Sequence, residues 1–229
     1  SSDLLKINGV VYNEMKGAFS SPEQVLSRKI TATLFPDTTY GQESGGDPDH
    51  IPELTYEEFL DFHRSYYHPS NCYIYMYGDF DVREKLDFID REYLSKFEPL
   101  HVDSEIALQK PFDKIREFSY SYSLGSGEEE KDNTYLAYNV VLKDSQDPVM
   151  YAAFQVLDYA LMSCPGAPLK KALISSGIAK DAYCEYERSI RQPYLSIIAK
   201  NSNESQKDRF MEIIRSTLTK LVDEEIGRA

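Results

Sequence analysis

The side chains of this 229-residue chain best suited to hold a metal, shuttle a proton or attack a carbonyl are four histidines and three cysteines, and their spacing supports none of these roles directly. His50, His63, His68 and His101 form no His-x-x-Glu-His or His-Glu-x-x-His arrangement. His63 and His68 lie five apart, about 140° around a helix, so they cannot grip one metal from one face and read as capping or packing residues. Cys72, Cys164 and Cys184 are odd in number, far apart and without a C-x-x-C spacing. They suit a reducing compartment better than a disulfide framework or a zinc knuckle. No G-x-S-x-G elbow or phosphate-binding glycine loop is present, and Gly45 with Gly46 reads as turn chemistry.

Glu14 stands out for a different reason. Ile7, Val10, Val11, Met15 and Ala18 fall on one stripe at about 100° per residue, the mark of an amphipathic helix. Glu14 sits inside that stripe, between Val10 and Ala18, while Lys6, Asn13 and Lys16 take the polar side. A carboxylate on a buried helix face is costly unless a cation, several donors or a metal satisfies it. Two readings follow from the wheel: a buried pair with an Arg or Lys of another element, or a metal ligand.

The elements that must position Glu14 are well punctuated. Ser21 as cap, Pro22 in the first turn and Gln24 three residues after the cap open a second helix, which stops before Pro36. Residues 36 to 53 carry Gly45, Gly46, Pro48 and Pro52 and read as a long loop. Thr55 and Glu58 form a capping box for a third helix, with Leu54 placed to staple against Phe59 and Pro69 ending it. Residues 72 to 77 alternate Cys, Ile and Met with tyrosines, a strand by period, and Asp81 opens a helix to about Phe97.

After a connector at residues 106 to 116, Phe118 to Leu124 and Leu136 to Leu142 alternate and read as a β-hairpin. Helices follow at Pro148 to Met162 and up to Ser175, then strands near Ala182 to Glu187 and Tyr194 to Ala199. A closing helix spans about Ser205 to Ile226. This is an α+β pattern, an antiparallel-rich sheet with helices packed on one face. The first hundred residues offer helices and one lone strand, 72 to 77, which lacks partners within its own segment.

A formal charge of −13 opposes nucleic-acid phosphates, so no nucleic-acid partner is expected. An acidic surface can attract basic peptides or serve solubility alone. No run approaches the roughly eighteen apolar residues of a membrane span, and the start lacks the features of a secretory signal, so no membrane partner is expected.

The runs NGVVYNEMKGAFSSPEQVL, TYGQESGGDPDHIPELTYEEFLDFHRSYYHPSN and YMYGDF resemble, collinearly over about residues 8 to 97, the central stretch of presequence proteases in the pitrilysin/insulinase family of inverted-motif zinc metallopeptidases. APLKKALISSG extends a weaker resemblance through the rest of the chain. The resemblance implies an internal piece of a longer protein. Residues 1 to 105 would be the helical C-terminal part of a first, zinc-site domain, 106 to 116 a connector, and 117 to 229 the N-terminal part of a second, non-catalytic domain of the same type. In that family a His-x-x-Glu-His helix supplies two zinc ligands and the general base, and a downstream glutamate, matching Glu14, completes the site. Zinc is therefore the implied cofactor of the whole protein and Glu14 its metal ligand here. No catalytic residue and no substrate-binding residue can be assigned within the chain, which is expected to be inert and zinc-free by itself.

The implied function is hydrolysis of short unstructured peptides, basic targeting presequences among them, in a closed chamber of a bacterial cytoplasm or, alternatively, an organelle matrix. A non-catalytic scaffold subunit of the same fold and a module that binds peptides at a sheet edge without cutting them are the alternatives. The lone strand 72 to 77 is expected to pair with a neighbouring molecule or with the second sheet of its own chain, and so to promote self-association.

Overall fold

A computed structural model describes residues 9–144 and 147–224. Ile7, Lys6 and Ile226 lie outside the described residues. The elements in chain order are α1 (Val10–Ala18), α2 (Pro22–Leu34), α3 (Tyr56–Tyr66), α4 (Val82–Glu92), β1 (Thr134–Val141), α5 (Pro148–Asp158), α6 (Pro168–Ser175), β2 (Asp181–Glu187), β3 (Tyr194–Ser202) and α7 (Lys207–Asp223). The α+β class is borne out. The three strands form one antiparallel sheet in the order β1-β3-β2.

The chain divides into two compact units, one of residues 1–13 with 46–106 and the other of residues 14–45 with 107–229. This division is not contiguous in sequence, and α2 supplies the reason. Its Ile30 and Leu34, with Phe35 just beyond, are buried with Tyr194 and Ile198 of β3. The opposite face of the sheet is covered by α6 and α7, where Leu169, Leu173, Phe210 and Ile214 meet Leu136, Ala182, Ile197 and Ala199. Helices therefore cover both faces, a departure from the one-faced sheet expected from the sequence. Central β3, YLSIIAKNS, is buried on both sides, which its nearly continuous apolar run accommodates.

Gln109, buried at the start of the expected connector, ties the same unit together. Its backbone N–H donates to Gln192 Oε1 at 2.5 Å, and its side-chain oxygen accepts from the Asp37 N–H at 3.0 Å. A buried amide costs little when its donors and acceptors are matched in this way.

The other unit lacks a core of its own: among the described residues none from 46 to 106 is buried. Its helix starts follow the sequence closely. Thr55 and Glu58 make the full capping box of α3, and Asp81 caps α4 by accepting from the Glu84 N–H at 3.0 Å. Leu54 and Phe59 are both exposed.

Two expected strands do not form. Residues 72 to 77 pair with no strand among the described residues, and Tyr73, Tyr75 and Tyr77 are exposed. Period-two alternation selects an extended backbone but not a partner, and a strand exists only when its N–H and C=O groups are paired. Residues 118 to 124 fail likewise. β1 takes β3 as its partner, and the expected hairpin is replaced by a loop tied where the Tyr122 hydroxyl donates to the Asn133 carbonyl.

Candidate metal-ligand region

Glu14 lies in the middle of α1, and its side chain is exposed. This corrects the expectation of a carboxylate inside a buried stripe. Val10 and Val11 of that stripe are exposed too, and Met15 is the residue α1 buries. The turn expected at Gly45 and Gly46 forms, with Gly46 at a φ of +87°, and the end of the Met15 side chain packs in the space that a side chain on residue 45 would occupy. Three or four apolar residues at helical spacing identify a helix but not which edge of the stripe meets the protein. Exposure removes the desolvation cost that made Glu14 anomalous, and with it the need for a buried counter-cation.

The corner that carries Glu14 is held by Arg28 of α2. Its guanidinium donates to the Ala18 carbonyl at the end of α1 at 3.1 Å, pairs with Glu43 at 2.5 Å and lies 3.5 Å from the centre of the Phe19 ring. One side chain thus satisfies an orphan carbonyl at a helix end and stacks on an aromatic face, contacts that suit a planar, five-donor group. Nothing in the sequence pattern singled Arg28 out, because its partners lie on two segments, residues 18 to 19 and Glu43, both distant from it in sequence.

A second polar group missed in the sequence joins the start of α2 to the sheet. Glu23 accepts from the Tyr135 hydroxyl at 2.8 Å and pairs with Lys200. The Lys200 ammonium and then the Tyr135 hydroxyl hold the Glu23 carboxyl down at about 2, and the carboxylate in turn raises Lys200. Burial, followed by Glu23, pushes Tyr135 up to about 12. The shifts of Glu23 and Lys200 stabilise the charged forms of an ion pair, that of Tyr135 keeps its phenol neutral as a donor, and together they describe a tie between elements, not an acid or base poised for chemistry.

The histidines behave as packing and capping groups. His63 stacks on Tyr67 with ring centres 4.7 Å apart, His68 accepts from the Ser70 N–H at 3.1 Å, and exposed His50 is raised by its hydrogen bond to Glu53. The Cys184 thiol is pushed up by burial and then by Asp158, which keeps it protonated and unreactive. Among the described residues no three His, Cys, Asp or Glu side chains are grouped as a metal would require. The described residues therefore do not fit a zinc ion by themselves, and no catalytic step can be derived through one.

Residues 53–229 match the family profile described as "Peptidase M16 inactive domain", more than half of the chain. The chain belongs to the peptidase M16 family. This bears out the resemblance to pitrilysin- and insulinase-type peptidases. Protein HypA of Clostridium perfringens is 46% identical over 99% of the chain, and presequence protease 1 of Arabidopsis thaliana, chloroplastic/mitochondrial, is 37% identical over 97%. The chain spans 23% and 21% of the lengths of these two relatives. In fold it is similar to the peptidase M16 inactive domain from Pseudomonas fluorescens, with a TM-score of 0.64 at 18% identity over 96% of this chain and 52% of that one. Among the described residues no helix is long and apolar enough to cross a membrane.

Proposed function

We propose that this chain is part of a zinc metallopeptidase that hydrolyses short unstructured peptides, targeting presequences among them, inside a closed chamber. Residues 1 to 105 belong in this reading to the zinc-site domain, 106 to 116 to the connector and 117 to 229 to the non-catalytic domain. The observation that carries it is collinear identity with presequence proteases across nearly the whole chain, 37% in the Arabidopsis relative. Glu14 would contribute one carboxylate to a zinc whose other ligands would come from outside this chain. Its exposure supports availability to ligands from elsewhere in the protein. The expected location is a bacterial cytoplasm, with an organelle matrix as the alternative.

The same exposure favours keeping the scaffold reading in view, since a solvated acid costs a non-catalytic subunit nothing. One experiment separates the two. In the full-length protein, zinc content and cleavage of a synthetic presequence peptide are measured before and after Glu14→Gln. The peptidase reading expects stoichiometric zinc and cleavage in the parent, with both lost in the variant and the thermal midpoint unchanged. A parent protein that holds no zinc, or a variant that keeps full turnover, would overturn the assignment of Glu14.

A further inference from the structure

Three polar side chains stand in a row across the face of the sheet that α2 covers. Tyr194 and Ile198 of β3 lie on this face, with Ala137 and Val141 of β1 and Tyr183 of β2. Alternation along each strand therefore places Ser196, Asn139 and Glu185 on it as well, and the register sets both Asn139 and Glu185 directly opposite Ser196. Ser196 is fully buried, and neither its Oγ nor the buried Asn139 Oδ1 has a hydrogen-bond partner among the described residues. Buried polar atoms are almost always bonded, so two orphans on facing residues call for a donor.

The shortfall can be counted. An ionised Glu185 only accepts, Asn139 Oδ1 only accepts, and Ser196 has a single O–H to give, so the row is one donor short. The Leu142 N–H donates to the Pro193 carbonyl at 2.8 Å, and hydrogen-bonded positions alternate along an antiparallel ladder. Asn139 and Ser196 are thus a non-hydrogen-bonded pair, with Cα atoms about 4.5 Å apart and side chains at their closest. On the other side, Cβ atoms directly opposite across two strands lie about 4.5–5.5 Å apart, which a glutamate side chain can span.

We propose that Glu185 is a proton-binding site that completes this row: once protonated, its carboxyl O–H donates to Ser196 Oγ, and the Ser196 O–H donates to Asn139 Oδ1. The proton comes from solvent, and the row passes from one negative charge to none. All three strands are then tied on the face that meets α2, so mild acid tightens the junction between α2 and the sheet. The proposal is independent of the peptidase reading.

The groups around Glu185 favour the neutral form. Burial, followed by the Glu187 charge on the same strand, raises its carboxyl above the ordinary range. Tyr183 and Tyr194, on the same face, are pushed up by burial and then by Glu185, so both remain neutral phenols. From the covering segment Tyr40 accepts from the Arg191 N–H at 2.9 Å. The nearby cations are engaged elsewhere: Arg28 with Glu43, Arg191 with Asp144, Lys200 with Glu23, and Arg188 over the Tyr151 ring. A carboxyl whose folded value is raised contributes stability that is fully present below its unfolded value and lost as pH rises through the folded one. Its sign is opposite to that of Glu23 at the same junction.

The test is amide exchange of β3 in the full-length protein between about pH 8 and pH 5, corrected for the intrinsic pH dependence of exchange and read as the difference between parent and Glu185→Gln. The amide of the variant supplies the donor at every pH, so its protection should be high throughout. Protection in the parent should rise toward that of the variant on acidification, by up to about tenfold per pH unit because one proton is taken up. Ser196→Ala should abolish the response while leaving Glu185 in place. A parent that tracks Glu185→Gln at every pH would overturn the proposal, and this comparison decides even if Ser196→Ala does not fold. A response that survives Ser196→Ala would overturn it too, as would one abolished by Glu187→Gln, which would assign it to relief of like-charge repulsion.

Discussion

Replacing Phe35 by Ala tests whether residues 14 to 45 are part of the sheet unit. The ring is fully buried, with centroids 5.7 Å from Tyr40 and 5.9 Å from Tyr194, and it packs with Ile30 and Ile198. Transfer of a buried phenylalanine to water accounts for about 1.5–3 kcal/mol. The cavity left between a helix end and a central strand raises the total to about 3–5 kcal/mol, because neither side can close it without moving its backbone. At roughly 2–4 °C per kcal/mol for a unit of this size, the midpoint should fall by on the order of 10 °C. The chain has no tryptophan, so near-ultraviolet circular dichroism of its tyrosines in a urea titration is the readout, joined to amide exchange of β3. Phe59→Ala, at a residue 59% exposed, is the control and should stay within about 0.5 kcal/mol. Loss of less than about 1 kcal/mol would refute the reasoning. So would a variant in which residues 14 to 45 lose protection while β3 keeps its own, since α2 would then be an appendage to the sheet rather than part of its core.

Arg28→Ala should free the Ala18 carbonyl and the Phe19 ring together and cost about 1–3 kcal/mol, whereas Arg28→Lys restores charge but not the planar stack and should recover only part of it, as thermal melts would record. The Glu23 carboxyl is held at about 2 against an ordinary 4.5, so its stabilisation is complete above pH 4.5 and lost as pH falls toward 2. Glu23→Gln should therefore flatten the acid limb of a stability profile between those values, and an unchanged limb would count against the tie to Lys200. The exposed extended run 72 to 77 should make the 229-residue chain self-associate, with Tyr75→Lys lowering the association measured by sedimentation; a chain that stays monomeric at high concentration would remove that expectation.

What the sequence by itself determined were features written in contiguous residues. The caps at Ser21, Thr55 and Asp81, the helices they open and the family carried by short motifs needed only local hydrogen bonds or direct comparison. Strand pairing was decided elsewhere. Residues 118 to 124 and 136 to 142 have the same alternation, yet only the second found a partner, because β3 could bury both its faces between α2 and α7 and β1 completed one side. The face of α1 was likewise a tertiary matter: Met15 meets Gly45 from a loop thirty residues on, which turns Glu14 outward although the wheel placed it within the stripe. Arg28, Glu23 and Gln109 were illegible for the same reason. Their partners come from segments distant in sequence, and periodicity within one segment carries no information about which other segment will pack against it.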